Sequence, residues 1–132
     1  MPRVLIIDDE EDVRDALCEV LNRAGFDVGV AATSDEGIDD LRINPAELVV
    51  TDIIMPGKDG VTAIREIRGE FPDVKIIAIS GGGNFTPDAY EPNAIMTTAY
   101  LAAAREAGAD VILPKPFDRT AFVAAVRALT AC

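Results

Sequence analysis

Short apolar runs alternate with stretches of helical periodicity five times along this chain. Such alternation is typical of strands and helices wound into one parallel sheet with helices on both faces. Four of the runs are rich in Val and Ile and lack polar alternation, as strands covered on both faces should. All five runs together are RVLIID (3–8), DVGVA (27–31), ELVVTD (47–52), KIIAIS (75–80) and DVILP (110–114). The sequence therefore predicts a doubly wound α/β fold with five parallel strands.

The first two helices have clear boundary signals. An apolar stripe at helical spacing predicts the first helix, and Gly25 supplies its C-terminal stop. The second helix is expected to start at Thr33 or Ser34, which are good N-cap residues, and to stop before Pro45. The stripe of the first helix is Val13, Ala16, Leu17, Val20, Leu21 and Ala24.

The remaining helices are predicted from similar signals. Asp59 can cap a third helix, and a fourth is expected from near Ile95 to Gly108. The last helix is expected to begin near Asp118. The buried stripe of the third helix is predicted to be Val61, Ile64 and Ile67, and the last helix carries Phe122, Val126 and Leu129. Residues 81–94 then form a link of 14 residues, far above the usual 2 to 6, which is typical of a functional loop.

Composition limits the class of protein. With 132 residues, 49% of them hydrophobic, we expect one domain over residues 1–132. The net charge of -11 disfavours binding to nucleic acid and to anionic membrane surfaces. No apolar run approaches the roughly 20 residues of a membrane span, and a signal-peptide pattern is lacking, so we expect a cytoplasmic protein. Cys18 and Cys132 are expected to be plain thiols.

Polar residues follow the apolar runs at the points where the strands would end. Asp8 and Asp9 close the first run, Asp52 the third and Ser80 the fourth, and Lys115 comes just after the fifth. In a parallel α/β sheet the ligand crevice lies at the carboxyl ends of the strands. We therefore expect these side chains to converge at one edge of the sheet.

Three carboxylates in one crevice repel one another unless a cation is present. Magnesium keeps several waters and takes only one or two carboxylates, so it suits an open site of this kind. A metal, a lysine and a hydroxyl together can bind a phosphoryl group. Taken alone, Asp8 and Asp9 could equally cap the first helix, and Lys115 could be a solvated loop residue. Their combination with Asp52 favours the site.

Four motifs occur in order at the predicted strand ends: VLIIDDE, VVTDIIMPGKDG, AISG and LPKPF. With them the chain resembles, over nearly its whole length, the receiver domain of bacterial two-component response regulators, in particular the single-domain, flavodoxin-like type. The resemblance implies the strand order 2-1-3-4-5 and a phosphoacceptor at Asp52. It also implies that Mg²⁺ is held by Asp8, Asp9, Asp52 and the backbone carbonyl of Ile54.

The same resemblance assigns two further residues to the phosphoryl group. Ser80 would hydrogen-bond its oxygens, and Lys115 would pair with the acyl phosphate. The peptide bond between Lys115 and Pro116 is expected to be cis. Because the chain contains no His, the donor would be a sensor histidine kinase or a histidine phosphotransfer protein. The downstream target would be another protein, and homodimer formation stays open.

The sequence also departs from the pattern of many receiver domains. Such domains carry Tyr or Phe three residues before the lysine, where this chain has Ile112. We expect the segment 82–94, with Phe85 and Tyr90, to change conformation in place of that ring. Neither Ile54 nor Gly82, each two residues after a site residue, can orient an attacking water, so slow loss of the phosphoryl group is expected.

We interpret the chain as a stand-alone signalling domain and not an enzyme, with no output domain after its last helix. A phosphorylation-independent binding scaffold is one alternative, although the presence of Asp9, Asp52, Ser80 and Lys115 together argues against it. A magnesium-dependent small phosphohydrolase is a less favoured alternative, because that chemistry would use a second acid where this chain has Ile54.

Overall fold

The computed structural model describes residues 2–53, 60–80, 102–114 and 118–130. Its strands are β1 (Arg3–Ile7), β2 (Asp27–Ala31), β3 (Leu48–Asp52), β4 (Lys75–Ser80) and β5 (Val111–Pro114). Its helices are α1 (Glu11–Arg23), α2 (Ser34–Ile43), α3 (Gly60–Glu70), α4, whose described part is residues 102–107, and α5 (Arg119–Thr130).

The five strands form one parallel sheet in the order β2-β1-β3-β4-β5. The predicted fold class and strand order are therefore confirmed. Each strand agrees with its predicted run to within one residue at either end. The pattern succeeded here because Val, Leu and Ile dominate the central strands, and all five residues of β3 are buried.

Each face of the sheet has its own hydrophobic core, because successive strand residues point to opposite sides. On one face, α1 and α5 contribute buried side chains such as Leu21 and Phe122. On the other face, α2 and α3 contribute Leu41, Ile64 and Ile67. Full burial of one such side chain stabilises the fold by about 1.5–3 kcal/mol. Helices thus cover both faces of the sheet, as the sequence predicts.

The helix boundaries follow the predicted capping residues. After α1, Gly25 adopts φ 97, a left-handed conformation that glycine tolerates at a helix end. The hydroxyl of Thr33 accepts a hydrogen bond from the Glu36 N–H at 3.1 Å and so caps α2. At the start of α5, Asp118 Oδ1 accepts from the Ala121 N–H at 2.7 Å. These caps confirm the predicted starts of α2 and α5 and the predicted end of α1.

One residue of the predicted stripe on α1 is placed wrongly by the sequence. Leu17 and Leu21 are buried against the sheet, but Ala16 is exposed. The helix is rotated so that its two leucines point at the sheet, which turns Ala16 towards the groove between α1 and α5. The buried stripe of α3 is confirmed in full.

Several predictions fall outside the described residues. These are the Asp59 cap, the start of α4 near Ile95, the segment 81–94, the Lys115–Pro116 peptide and Cys132. The predicted end of α4 is confirmed, since Gly108 follows its last turn with φ 128. Within the described ranges, none of the helices combines the length and apolar character that crossing a bilayer needs.

Candidate functional site at the carboxyl edge of the sheet

Asp8 and Asp52 lie side by side at the carboxyl ends of neighbouring strands. The register of β1 and β3 pairs Ile6 with Val50 and Ile7 with Thr51, so the next residues, Asp8 and Asp52, are at the same level. Neighbouring strands are about 4.8 Å apart. Asp8 is only 2% exposed and Asp52 only 4%. Asp8 and Asp52 therefore lie next to each other at a nearly closed part of the sheet edge.

Both acids continue the same face of the sheet. Ile6 and Val50 belong to the core cluster under α1 and α5, and each acid comes two residues later in its strand direction. Because side-chain direction repeats every two residues along a strand, Asp8 and Asp52 point to the same face of the sheet as Ile6 and Val50. The apolar cluster thus ends in a pair of carboxylates beneath the start of α1.

Hydrogen bonds hold Asp8 in the turn between β1 and α1. Its N–H donates to the carbonyl of Ala31 on β2 at 3.1 Å. Its Oδ1 accepts from the Glu10 N–H at 2.9 Å, and its carbonyl oxygen accepts from Arg14 Nη1 at 2.9 Å. The Asp8 carboxyl is therefore fixed in direction by its own backbone turn, as Asp side chains commonly are at such positions.

The chain after Asp52 is anchored as well. Ile53 is 1% exposed, and its N–H donates to the carbonyl of Ile79 on β4 at 2.9 Å. The Gly60 N–H, at the start of α3, donates to the Ile53 carbonyl at 3.1 Å. This bond joins the first residue after the strand to the first residue of the next helix. It closes the connection that starts at Asp52.

The other predicted site residues are described less fully. Asp9 is exposed beside Asp8. Ser80 ends β4, where its backbone pairs with Pro114 of β5, while its side chain lies outside what the structure describes. Ile54 and Lys115 also lie outside the described residues. Ser80 thus reaches the same edge as the two buried acids, and Lys115 follows Pro114 directly in sequence.

The donor set fits a hard divalent cation that keeps water ligands. Within the described ranges, no three His, Cys, Asp or Glu side chains are close enough together to hold a metal by themselves. Magnesium does not require three, since one or two carboxylates with waters and other oxygens suffice. Buried carboxylates on adjacent strands are oxygen donors of this type, while Asp9, at the same turn, is exposed and does not form a three-ligand cluster with them.

Two residues of this region were missed by the sequence patterns. Arg14 reaches back over the turn to Asp8, and Gly60 closes the connection after Asp52. A positive residue among the six acids of positions 8–15, at a helix start, was the available signal for Arg14. No local pattern marks Gly60, because its role depends on the backbone of Ile53 lying against it.

A separate groove of about 790 Å³ lies between α1 and α5. Its lining includes Ala16, Val20 and Val123 as well as the arginines Arg119 and Arg127. Of the described site residues Asp8, Asp9 and Asp52, none lines it. The groove is thus a surface feature distinct from the acidic edge.

The sheet order and the paired acids define an α/β protein of the flavodoxin-like type with an acidic crevice at the carboxyl edge. Over residues 4–127 the sequence matches the family described as response regulator receiver domain. The chain therefore belongs to the receiver domains of two-component response regulators, a family of signalling domains.

Curated relatives agree with this membership. The chain is 38% identical over 109 residues to the C4-dicarboxylate transport transcriptional regulatory protein DctD of Rhizobium meliloti, covering 83% of this chain and 23% of that protein. It is 31% identical over 127 residues to response regulator MprA of Mycobacterium tuberculosis, covering 96% of this chain and 50% of that protein. The chain therefore spans half or less of these relatives.

Solved structures show the same fold. A putative response regulator from Chloroflexus aurantiacus superposes with a TM-score of 0.81 at 27% identity, covering 99% of this chain and 98% of that one. A CheY-like receiver domain protein from Methanospirillum hungatei superposes with a TM-score of 0.82, covering 97% and 92%. At 23% identity, the second likeness concerns the fold alone.

Proposed function

We propose that this receiver domain accepts a phosphoryl group on Asp52 from a phosphohistidine of a sensor histidine kinase or a histidine phosphotransfer protein. The observation that carries the proposal is the pairing of Asp52 with Asp8, both nearly buried, at the carboxyl edge of a receiver-family sheet. A carboxylate pair at that edge is surplus to helix capping, because Glu11 and Asp12 already occupy the first turn of α1.

The transfer balances as a simple displacement. An Asp52 carboxylate oxygen forms a bond to phosphorus, the bond between phosphorus and the donor imidazole nitrogen breaks, and the imidazole leaves and takes up a proton. Such reactions depend on positioning and on neutralising the charge of the transferred group more than on a general base. Asp52 suits the positioning role because the backbone on both sides of it is held by sheet and loop hydrogen bonds.

Magnesium belongs to this proposal as the cofactor. Asp8, Asp9, Asp52 and the Ile54 carbonyl would hold it, and when bound it would neutralise charge on the phosphoryl oxygens. Ser80 would donate a hydrogen bond to those oxygens, and Lys115 would pair with the acyl phosphate. The backbone of β4 supports the assignment of Ser80, since it ends beside β3 at the same edge as Asp52.

The output would be a protein contact. Phosphorylation at this edge would alter the surface formed by α4 and β5, and a protein partner would read that surface. DctD and MprA are named as regulators, and the matched region is only part of each.

Acetyl phosphate with Mg²⁺, followed by intact mass measurement, tests the proposal. We expect one phosphoryl adduct on the wild type, none on Asp52→Asn, and full labelling of the matched control Asp27→Asn, whose exposed carboxyl lies at the opposite end of the sheet. A wild type that stays unlabelled by acetyl phosphate and by phosphohistidine donors overturns the proposal and favours the binding scaffold. Continuous turnover of phosphate esters favours the phosphohydrolase.

A further inference from the structure

Arg14 stands where helix electrostatics disfavour a cation. It lies in the first turn of α1, whose N-terminal end carries a partial positive charge and favours acids. Glu11 and Asp12 satisfy that preference, whereas Arg14 opposes it. The arginine is also only half-exposed, so it is not simply a solvated surface charge. The presence of an arginine at this end of α1 therefore needs an explanation other than helix electrostatics or solvent exposure.

The contact that Arg14 makes supplies the cause. Its Nη1 donates to the carbonyl oxygen of Asp8 at 2.9 Å, across the turn that joins β1 to α1. With the bonds to Ala31 and Glu10, Asp8 is tied through its N–H, its carboxyl oxygen and its carbonyl. Arg14 is the only side chain among these three partners, because Ala31 and Glu10 act through backbone atoms.

We propose that Arg14 is a positioning residue for the divalent cation. By holding the main chain of Asp8, it keeps the buried carboxyl group of Asp8 beside Asp52 and fixes the turn from which Asp9 extends. The inference rests on the proposed function, in which these acids bind Mg²⁺, and it adds a residue that does not touch the ion.

Removing Arg14 would change Mg²⁺ affinity in two opposite ways, so the direction of the measured change tests the inference. Loss of a nearby positive charge would tighten Mg²⁺ binding, by a factor of about 5 for a unit charge several ångströms away in a watery dielectric. Loss of a group that orients metal ligands weakens binding by about 10- to 100-fold. The orienting effect is the larger, so the net change is weaker binding.

The test compares Mg²⁺ affinity in Arg14→Met, Arg14→Lys and the matched control Arg23→Met. Met keeps an unbranched side chain but has neither a donor nor a charge, whereas Lys keeps both the donor and the charge. Arg23 lies at the other end of the same helix in an exposed ion pair with Glu19, so its replacement makes the same change in net charge. Affinity is read from an NMR titration of backbone amides with MgCl₂, which needs no phosphorylation.

We expect Arg14→Met to bind Mg²⁺ about 2- to 20-fold more weakly than the wild type, since the charge effect offsets part of the orienting effect. Arg14→Lys should recover most of the affinity, and Arg23→Met should match the wild type. Urea unfolding without Mg²⁺ shows whether Arg14→Met remains folded, and Arg14→Gln, with a donor too short to span the turn, provides a second truncation.

The outcomes separate this inference from the proposed function. Unchanged or tighter binding in Arg14→Met and Arg14→Gln overturns the positioning role while leaving the Mg²⁺ site intact. Loss of stability with unchanged affinity has the same meaning, because it shows a purely structural role. A wild type that binds no Mg²⁺ overturns both the inference and the proposed metal site.

Discussion

Asp8 and Asp52 occupy equivalent positions on neighbouring parallel strands, each two residues beyond a paired core residue, Ile6 and Val50. Two nearly buried carboxylates on adjacent strands repel each other. A bound divalent cation offsets the repulsion. Because an ion that binds only the folded state shifts the folding equilibrium, cation binding at this pair should be visible as stability.

The first prediction concerns Asp8→Asn. Mg²⁺ at about ten times its dissociation constant should raise the free energy of unfolding of the wild type by about 1.4 kcal/mol. Asp8→Asn should lose most of this increment, since one of the two buried carboxylates is gone. Urea unfolding with and without MgCl₂ measures the difference, and Asp27→Asn controls for the change in net charge. An equal Mg²⁺ increment in Asp8→Asn would show that the ion binds elsewhere.

The second prediction concerns the glycine that closes the connection after Asp52. A Cβ added at Gly60 would collide with the backbone of Ile53, including its carbonyl oxygen. Backbone cannot move aside as the end of a flexible side chain can, so Gly60→Ala should cost about 1–3 kcal/mol of stability. It should also slow labelling by acetyl phosphate, because Ile53 is the neighbour of Asp52.

Gly69 provides the matched control for this substitution on the same helix. A Cβ at Gly69 meets no atom within 4 Å, so Gly69→Ala should leave labelling unchanged and stabilise α3 by up to about 1 kcal/mol. Urea unfolding and the rate of adduct formation are measured for both variants. If Gly60→Ala behaved like Gly69→Ala, the closing role of Gly60 would be wrong.

The architecture could be predicted from the sequence because several separate signals along the chain indicate the same fold. The five apolar runs and the helical periods between them indicate the same fold, and the capping residues Thr33 and Asp118 agree with it. Rotation of a helix about its axis is less well determined. Ala16 fits the periodic stripe of α1, yet Leu17 and Leu21 decide which side faces the sheet.

The site was predictable only in part. Five acids in succession, at positions 8–12, indicate a polar edge, but they do not show which one is buried. The turn after β1 determines which acid is buried. Asp8 accepts a hydrogen bond from the Glu10 N–H and is buried, while Asp9 faces solvent. The contact of Arg14 with Asp8 depends on the angle at which α1 leaves that turn, which no periodic pattern encodes.

Arg68 is a residue whose role arises from tertiary structure alone, and it carries the third prediction. Its guanidinium donates to the carbonyls of Pro72, Val74 and Gly108 and to Asp110 Oδ2, at distances from 2.6 to 2.8 Å. It thereby joins the ends of α3 and α4 to the starts of β4 and β5. Arg68→Ala should cost about 2 kcal/mol, because partly buried acceptors lose a charged donor.

The control for Arg68→Ala is Arg65→Ala, an exposed position on the same helix that should change stability little. Hydrogen exchange adds a local readout, since the Ile76 N–H donates to the same Asp110 Oδ2. We expect faster exchange at Ile76 in Arg68→Ala only. Equal unfolding free energies for the two alanine variants would contradict the role of Arg68 in joining these helices and strands.

The fourth prediction concerns the ion pair between Arg42, in the last turn of α2, and Glu70, at the end of α3. Arg42 Nε and Nη2 donate to the two carboxylate oxygens of Glu70 at 2.5 and 2.8 Å. This hydrogen bonding, followed by the charge of Arg42, lowers the pKa of Glu70 below its ordinary value of 4.5. The same contacts raise the pKa of Arg42, so the arginine stays charged throughout.

The sign of the pH dependence follows from the lowered pKa of Glu70. Below its folded pKa the carboxyl is protonated in both states, so the pair stabilises the fold only at higher pH, fully above about 4.5. The stability of the wild type relative to Glu70→Gln should therefore be positive at neutral pH and vanish in acid. The pair is exposed, so the difference should be small and should shrink in high salt. A double-mutant cycle with Arg42→Gln at several pH values measures it, and a coupling that persists in acid would show that charge is not its origin.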